Sequence, residues 1–291
     1  MKNQRLAYKY AIFVVLFWST VASAFKITLR HLDFLNLVFF AIIVSIITLF
    51  VVLCFQRKLN LFKKYKKNDY LRSALLGFLN PFLYYIILFK AYSILPAQEA
   101  LSLNYLWAIT LTLLSIPILK QKISFMSIFA IFISFIGVII IATHGNILSL
   151  KFTNPIGVSL ALSSTIVWSL FWIYNVKDTR DDVAKLLLNF LFGFIFILIT
   201  FLFTRKLSIP SIKGLLGASY AGIFEMGITF ILWLKALSLS KTTSKVSNII
   251  YLSPFISLVI IRFAVGEEIL ASTVIGLLLI VIGIMVQRRT P

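Results

Sequence analysis

The sequence predicts an all-α integral membrane protein in which ten transmembrane helices form two inverted repeats of five helices. Composition is the first observation behind this prediction, because 60% of the 291 residues are hydrophobic and 13% are charged. A soluble domain has about 45–50% apolar and about 25% charged residues. The second observation is an internal repeat of half the chain, and the third is the length of its apolar runs.

The repeat is visible in identical residues about 145 positions apart. The matching residues are Lys90-Ala91 with Lys235-Ala236, Tyr105-Leu106 with Tyr251-Leu252, and Gly137 with Gly283. A repeat of this length decides the fold of the whole chain. We therefore predict two units, residues 1–145 and residues 146–291.

The apolar runs have the length of transmembrane helices. A helix needs about 20 apolar residues to cross a hydrocarbon core about 30 Å thick, and the runs lack the alternation of strands. Helices also satisfy every backbone polar group inside lipid. The predicted spans are 10–29, 34–55, 72–93, 97–119, 126–143, 155–174, 185–203, 214–237, 244–263 and 271–287.

The basic residues predict the orientation of these spans, because lysine and arginine concentrate in cytoplasmic loops. With both termini in the cytoplasm, 20 of the 28 lysine and arginine residues lie on the cytoplasmic side. Five spans per repeat is an odd number, so the second repeat enters the membrane in the opposite direction. The richness in Lys, Ile and Phe fits the inner membrane of a bacterial cell.

The first apolar run has some features of a cleaved signal peptide, since basic residues precede it and Ala22-Ser23-Ala24 resembles a cleavage site. The run continues to Leu29, however, and Phe17-Trp18-Ser19 recurs as Val167-Trp168-Ser169 in the second repeat. We therefore expect a retained first helix.

Four segments form a recognisable combination. They are Phe17-Trp18-Ser19, the run from Glu99 to Trp107, Tyr251-Leu252-Ser253-Pro254 and Gly266-Glu267-Glu268. Together with the two repeats they resemble the drug/metabolite transporter (DMT) superfamily, specifically its ten-helix EamA type. Ala108 and Gln121-Lys122 depart from this pattern, which often has a proline and an acidic residue there. The resemblance implies a secondary transporter of small organic metabolites, with amino-acid or amine export as the expected activity and no cofactor.

Glu225 is the main candidate for the transport site. It lies midway along the eighth predicted span, and at an offset of 145 it matches Asn80 in the third. Ionisable residues inside spans are costly and tend to be functional, and carriers built from inverted repeats bind substrate near the midplane. Glu225 could attract an amine or exchange a proton, which makes it the coupling candidate. Alternatively, it is a structural carboxyl bonded to a neighbouring helix.

A wider set of polar and aromatic residues is predicted to line the same site. Helical spacing puts Asn104 and Trp107 on one face of the fourth span and Tyr105 on another. For the polar residues the alternative is contact between helices. For the tryptophans it is anchoring at the membrane interface or packing, which we favour over ligand contact for Trp172 and Trp233. Glu99 is expected to face water at the outer end of its span. The predicted substrate-binding residues are Trp18, Asn80, Tyr84, Asn104, Tyr105, Trp107, Trp168, Glu225, Ser247, Asn248 and Tyr251.

Other function classes find less support in the sequence. A membrane enzyme would need a catalytic or metal-binding cluster, but the two histidines, His31 and His144, fall at predicted helix ends, and Cys54 is the single cysteine. We therefore predict no enzyme activity, catalytic residue, metal site or cofactor, and the chain lacks the glycine loop of a P-loop ATPase. The net charge of +19 belongs to loops, so no nucleic-acid partner is expected.

The expected partners are a small-molecule substrate, with proton coupling as an option, and the lipid bilayer. A homodimer through the fifth and tenth helices is a further option, since their main features are Gly137, Gly276 and Gly283. The alternatives are a carrier of nucleotide sugars or nucleoside-like metabolites, an uptake carrier, and, more remotely, a channel or scaffold.

Overall fold

The computed structural model describes residues 3–119, 125–147, 154–205, 207–240 and 249–288. Within these ranges the regular structure is helical, and seven helices are long and apolar enough to cross a membrane, with three shorter apolar helices beside them. The predicted all-α fold of ten helices is confirmed. The helices are α1 Gln4–Thr28, α2 Phe34–Phe55, α3 Lys67–Ile94, α4 Ala97–Asn104 continued by Trp107–Leu119, α5 Phe125–Ala142, α6 Pro155–Val176, α7 Asp182–Thr204, α8 Ile212–Leu239, α9 Ser253–Val265 and α10 Ala271–Arg288.

Short polar side chains determine where several helices begin. At the start of α2, Asp33 accepts a hydrogen bond of 3.2 Å from the amide of Asn36. At the start of α6, Asn154 accepts one of 2.9 Å from the amide of Gly157. Such side chains satisfy amides that have no partner inside the helix, so the polar residues between the apolar runs define the helix ends.

The contacts between helices follow the exchange of the two repeats. α1 packs on α8 and α9, and correspondingly α6 packs on α3 and α4. α2 packs on α7 and α5 packs on α10, each pair being equivalent helices of the two repeats. Each of these contacts therefore has an equivalent contact when the two repeats are exchanged, as the predicted inverted repeat requires.

Two π-helical turns lie at nearly equivalent places in the repeats. One spans Phe78–Leu83 in α3 and the other spans Ala221–Gly227 in α8. Proline has no N–H to donate, so Pro81 contributes to the first turn. Such turns recur at functional sites, and these two hold Asn80 and Glu225.

The fourth and ninth helices are interrupted at equivalent places as well. Residues 105–106 form a turn between the two parts of α4, and residues 251–252 form a turn immediately before α9. The identical Tyr-Leu pairs of the two repeats thus mark breaks in the helices. Each repeat thus carries a π turn and a break at equivalent places, and the second repeat has a further π turn at Ile261–Val265, the end of α9.

α5 and α10 form a close pair through glycines. A Cβ atom on Gly137 or Gly276 would lie 2.5 or 2.6 Å from the carbonyl oxygen of the other residue, so the two backbones touch. Gly283 lies against Ser134 in the same interface. Small residues let membrane helices approach closely. These glycines are therefore used within one chain, and the predicted homodimer through α5 and α10 would have to use their outward faces.

Large apolar side chains cover the outside of the bundle. Phe132 on α5, Leu202 on α7 and Leu216 on α8 are all exposed in the isolated chain. Apolar surface on this scale is disfavoured in water, whereas a lipid bilayer solvates it. The chain is a multi-pass membrane protein.

Candidate functional site

A cavity of about 260 Å³ lies between the two repeats. Residues of α1, α3 and α4 form one part of its wall, and residues of α6, α8 and the segment before α9 form the other. The chain has five tryptophans, and all five line this cavity: Trp18, Trp107, Trp168, Trp172 and Trp233. Trp172 and Trp233 are thus cavity residues, whereas the sequence favoured anchoring or packing over ligand contact for them.

Seven of the predicted substrate-binding residues line this one cavity, namely Trp18, Tyr84, Asn104, Tyr105, Trp107, Trp168 and Glu225. Asn80 and Tyr251 are buried but are not among the lining residues. Ser247 and Asn248 lie outside the described residues. The geometry therefore brings most of the predicted set together, while their role in binding stays a prediction.

The break in α4 explains how three of its residues reach the cavity. A continuous helix would place Asn104 and Trp107 on one face and Tyr105 on another. The turn at residues 105–106 reorients the chain, so Asn104, Tyr105 and Trp107 all line the cavity. All three residues were predicted to line the site, and all three line the cavity.

Glu225 is the acidic residue of the cavity wall, and its side chain is almost fully enclosed. The residue is 6% exposed, and its Oε1 accepts a hydrogen bond of 3.1 Å from the hydroxyl of Tyr85. Its Oε2 has no hydrogen-bond partner among the described residues, and the indole of Trp18 lies beside the carboxyl, outside hydrogen-bonding geometry. The carboxyl thus has one oxygen held by Tyr85, while the other, Oε2, is buried in the cavity wall without a hydrogen-bond partner among the described residues.

Tyr85 was missed in the sequence because it does not line the cavity. It is fully buried behind Glu225, and the adjacent Tyr84 takes the cavity position. One feature of the sequence could have pointed to Tyr85: it follows Asn80 by five residues, and Pro81 of the π turn lies between them. Asn80 itself is fully buried, and its amide has no hydrogen-bond partner among the described residues.

Aromatic rings form much of the cavity wall and pack on one another. The ring centres of Tyr84 and Trp168 are 4.6 Å apart, and those of Trp168 and Trp172 are 5.6 Å apart. On the opposite side, Trp18 and Trp233 lie 6.0 Å apart. Such contacts hold the rings in fixed orientations, so the cavity offers rigid aromatic surfaces around a single carboxyl.

Glu99 does not face water, contrary to expectation. It is 1% exposed, and its Oε2 lies 3.2 Å from Nε2 of His144, which follows α5. The helix position alone suggested an exposed residue, but the chain after α5 folds over it. Glu99 is therefore part of the packed end of α4.

A set of hydrogen bonds joins the two repeats at that end of the bundle. The carboxylate of Glu267 accepts from the amides of Ala97 and Gln98, at 2.7 and 3.2 Å. The side chain of Gln98 in turn donates to the carbonyl of Glu268 at 2.7 Å and accepts from the amide of Leu270 at 2.9 Å. The loop between α9 and α10 thus caps the start of α4.

A second polar network lies at the opposite end. Arg180 donates to both carboxylate oxygens of Asp178 and also to the carbonyl of Asp69 at 2.9 Å, which ties the α6–α7 loop to the start of α3. Burial alone would raise the pKa of Asp178, but the hydrogen bonds and charge of Arg180 hold it below the ordinary aspartate value. Asp181 shows the same balance, with Lys58 at 2.6 Å lowering its pKa against the effect of burial.

Among the described residues, no group of three or more His, Cys, Asp and Glu side chains is placed to hold a metal ion. The acidic and histidine pairs lie at the ends of the bundle, away from Glu225. What the cavity can do chemically is bind: it presents aromatic faces, amide and hydroxyl groups, and one carboxyl.

The two repeats, the cavity between them and the broken helices form the architecture that inverted-repeat transporters share. The profile of the EamA-like transporter family matches residues 5–143 and 155–288, and the chain belongs to this family. An uncharacterized transporter of Clostridium kluyveri is 30% identical over 58% of this chain and 56% of that protein. The uncharacterized transporter YyaM of Bacillus subtilis is 28% identical over the same shares, so little more than half of either relative is matched.

The uncharacterized transporter YvbV of Bacillus subtilis is 28% identical over 74% of this chain and 70% of its own length. A solved crystal structure superposes with a TM-score of 0.69 at 17% identity and covers 99% of both chains. At that identity the likeness concerns the fold alone. The fold and family are thus established, and the relatives carry no named substrate.

Proposed function

We propose that this protein is a secondary transporter that moves small organic metabolites by alternating access, with export of amino acids or related amines as its activity. The observation that carries the proposal is the cavity between the repeats, where five tryptophans surround the carboxyl of Glu225. Inverted-repeat carriers place their substrate near the midplane, at the interface of the repeats. Glu225 lines this cavity from about midway along α8, which supports such a site.

The size of the cavity supports a small substrate. Sites for drug-sized ligands have volumes of about 300–1,000 Å³, and this cavity measures about 260 Å³. An amino acid or a simple amine fits this volume better than a nucleotide sugar does. The absence of a lining lysine or arginine among the described residues also disfavours a substrate that carries phosphates.

The charge of Glu225 supports the amine component of the proposal. A carboxyl with one unpaired oxygen can accept a substrate ammonium, or it can exchange a proton for it in a coupled cycle. Orientation is part of the proposal as well: the protein lies in a bacterial cell membrane with both termini in the cytoplasm, because most of its basic residues then face the cytoplasm. We propose no catalytic step.

Transport by reconstituted protein tests this function. Proteoliposomes would be screened for saturable exchange of radiolabelled amino acids, amines and nucleotide sugars, with Glu225→Gln beside the unaltered chain. Glu268→Gln is the matched control, since the Glu268 side chain is 89% exposed. We expect transport of at least one amino acid or amine, its loss in Glu225→Gln, and its retention in the control.

Two results would contradict parts of the proposal. Exchange of nucleotide sugars without amines would identify a different substrate class. Folded protein that exchanges none of these compounds would argue against a carrier.

A further inference from the structure

We infer that the cavity selects organic cations that carry no carboxylate, such as an arylalkyl ammonium, over the zwitterionic amino acids. The inference rests on the proposed transport function and narrows its substrate. It follows from three features of the cavity: its charge, its uncommitted aromatic faces, and the neutral groups that would have to receive a carboxylate.

The charge of the described lining is that of Glu225 alone. Besides this carboxyl, the described lining residues are apolar, aromatic or neutral polar. Burying a charge is costly unless an opposite charge pairs with it. An ammonium finds that partner in the Glu225 carboxylate, whose buried Oε2 the described residues leave without a hydrogen bond. A substrate carboxylate finds no opposite charge among the described lining residues.

Lys26 is the nearest basic side chain in sequence to the lining, since its neighbour Phe25 belongs to the wall. Its Nζ is already committed, donating to the carbonyls of Tyr92 and Leu95 at 2.9 and 2.5 Å. These bonds place the ammonium of Lys26 at the end of α3. Among the described residues it is therefore engaged elsewhere and does not serve as a carboxylate partner.

Neutral hydrogen-bond donors could in principle bind a substrate carboxylate in place of a positive charge. The side-chain amide of Asn104, however, already donates to another residue. Nδ2 of Asn104 donates to the hydroxyl of Ser164 at 2.9 Å. The hydroxyl of Tyr84 points to Oδ1 of the same residue at 3.5 Å. The polar groups on this side thus bond to each other. The indole N–H groups of the cavity tryptophans can still donate, but they are neutral and compensate a buried carboxylate less well than an opposite charge does.

The aromatic faces favour a cation. A cation over an aromatic ring is attracted by its quadrupole, and tryptophan is the strongest partner. The protein's own cations lie over Phe34, Tyr174, Tyr65 and Tyr10 among the described residues. None of these four rings lines the cavity, so among the described residues no cation of the protein itself occupies the rings of the cavity tryptophans.

The tryptophans also supply the measurement. Because all five line the cavity, quenching of their intrinsic fluorescence reports ligand binding without a label. The probes are phenylalanine and phenethylamine, which share a ring and an ammonium and differ by the carboxylate. Titrations of purified, detergent-solubilised full-length protein would give both affinities, and proteoliposome exchange of the same pair would give both transport rates.

We expect phenethylamine to bind and phenylalanine to bind at least about tenfold more weakly, because its carboxylate is buried without a partner. Glu225→Gln should remove the preference, while Glu268→Gln should keep it. Trp168→Phe provides a second variant, which retains the carboxyl and should weaken phenethylamine by reducing the aromatic surface.

Equal or tighter binding of phenylalanine would overturn the inference and leave the proposed transport function in place. Exchange of other amino acids without phenethylamine binding would do the same. Failure of both probes, together with no exchange in the wider screen, would overturn the transport proposal itself. Circular dichroism of each variant separates loss of binding from loss of fold.

Discussion

The hydroxyl of Tyr85 donates a 3.1 Å hydrogen bond to Oε1 of Glu225, across the boundary between the two halves of the chain. Tyr85 belongs to α3 of the first repeat and Glu225 to the π turn of α8 in the second. Both residues are buried. The bond therefore orients a carboxyl of one repeat from the other, and it does so from behind the cavity wall.

Replacing Tyr85 by Phe should weaken ligand binding without touching the cavity surface. A hydrogen bond to a charged group contributes about 1.5–3 kcal/mol, so we expect an affinity loss for phenethylamine of about tenfold or more. Fluorescence titration measures the change. Tyr220→Phe is the control, because its hydroxyl bonds Thr20 at 2.5 Å and Tyr220 does not line the cavity.

An unchanged affinity in Tyr85→Phe would show that this hydroxyl does not position Glu225 for binding. A similar loss in Tyr220→Phe would point instead to a general effect of removing a buried hydroxyl. The pair of variants separates these explanations, since both remove one bonded phenol oxygen.

Alanine at Gly137 should destabilise the protein by separating α5 from α10. The added Cβ would meet the carbonyl oxygen of Gly276 at 2.5 Å, and this backbone atom cannot move independently of its helix. Overpacking of this kind costs about 1–3 kcal/mol. Thermal unfolding in detergent measures the loss, with Phe132→Ala on the exposed face of α5 as the control.

If Gly137→Ala unfolds at the same temperature as the unaltered chain, the two helices are not packed backbone to backbone. If the control is equally destabilised, the outward face of α5 is covered, which would support the homodimer through α5 and α10. Cross-linking of the control and the unaltered chain would then identify the dimer.

The substitution Asp178→Asn should destabilise the end of the bundle that holds the α6–α7 loop. The variant leaves Arg180 without its partner in a buried site, and loss of a hydrogen-bonded charge there costs about 1–3 kcal/mol. Because the pKa of Asp178 is lower in the folded chain than its ordinary value, its contribution is present above the unfolded pKa of about 4. It is lost as the pH falls through the lower folded value.

Unfolding midpoints measured from neutral to acidic pH test this prediction. The unaltered chain should lose stability on acidification, and Asp178→Asn should be less stable at neutral pH with a shallower dependence. Glu268→Gln is the control, since the Glu268 side chain is 89% exposed and surface substitutions change stability by about 0.5 kcal/mol or less. A steep acid dependence that survives in Asp178→Asn would assign the effect to other carboxyls.

The helices and their inverted arrangement could be predicted because lipid imposes simple rules on the sequence. Long apolar runs show the spans, and the loops between them carry the basic residues. These signals are local or depend on composition, so they can be read from the sequence without knowledge of tertiary contacts. Glu225 was identified by the same logic, as an ionisable residue inside an apolar run.

The remainder of the site depends on contacts that no local pattern encodes. Asn104 and Tyr105 lie at the break at residues 105–106 and both line the cavity, although helical spacing put them on different faces. Tyr85 contacts Glu225 from outside the cavity wall. The sequence does not distinguish it from the adjacent Tyr84, which lines the cavity. Glu99 is buried by residues after α5, far away in sequence, so its exposure could not be read from its helix position.

The two halves of this protein are alike in backbone but differ in charge. Asn80 in the first half is neutral and buried, while Glu225 at the matching place in the second half lines the cavity. On the proposed mechanism, an ammonium bound to Glu225 is tied to the second half as the halves rock against each other. The bound ammonium then keeps the same ionic partner through the cycle. Its aromatic neighbours from the first half change as the cavity opens to one side of the membrane or the other.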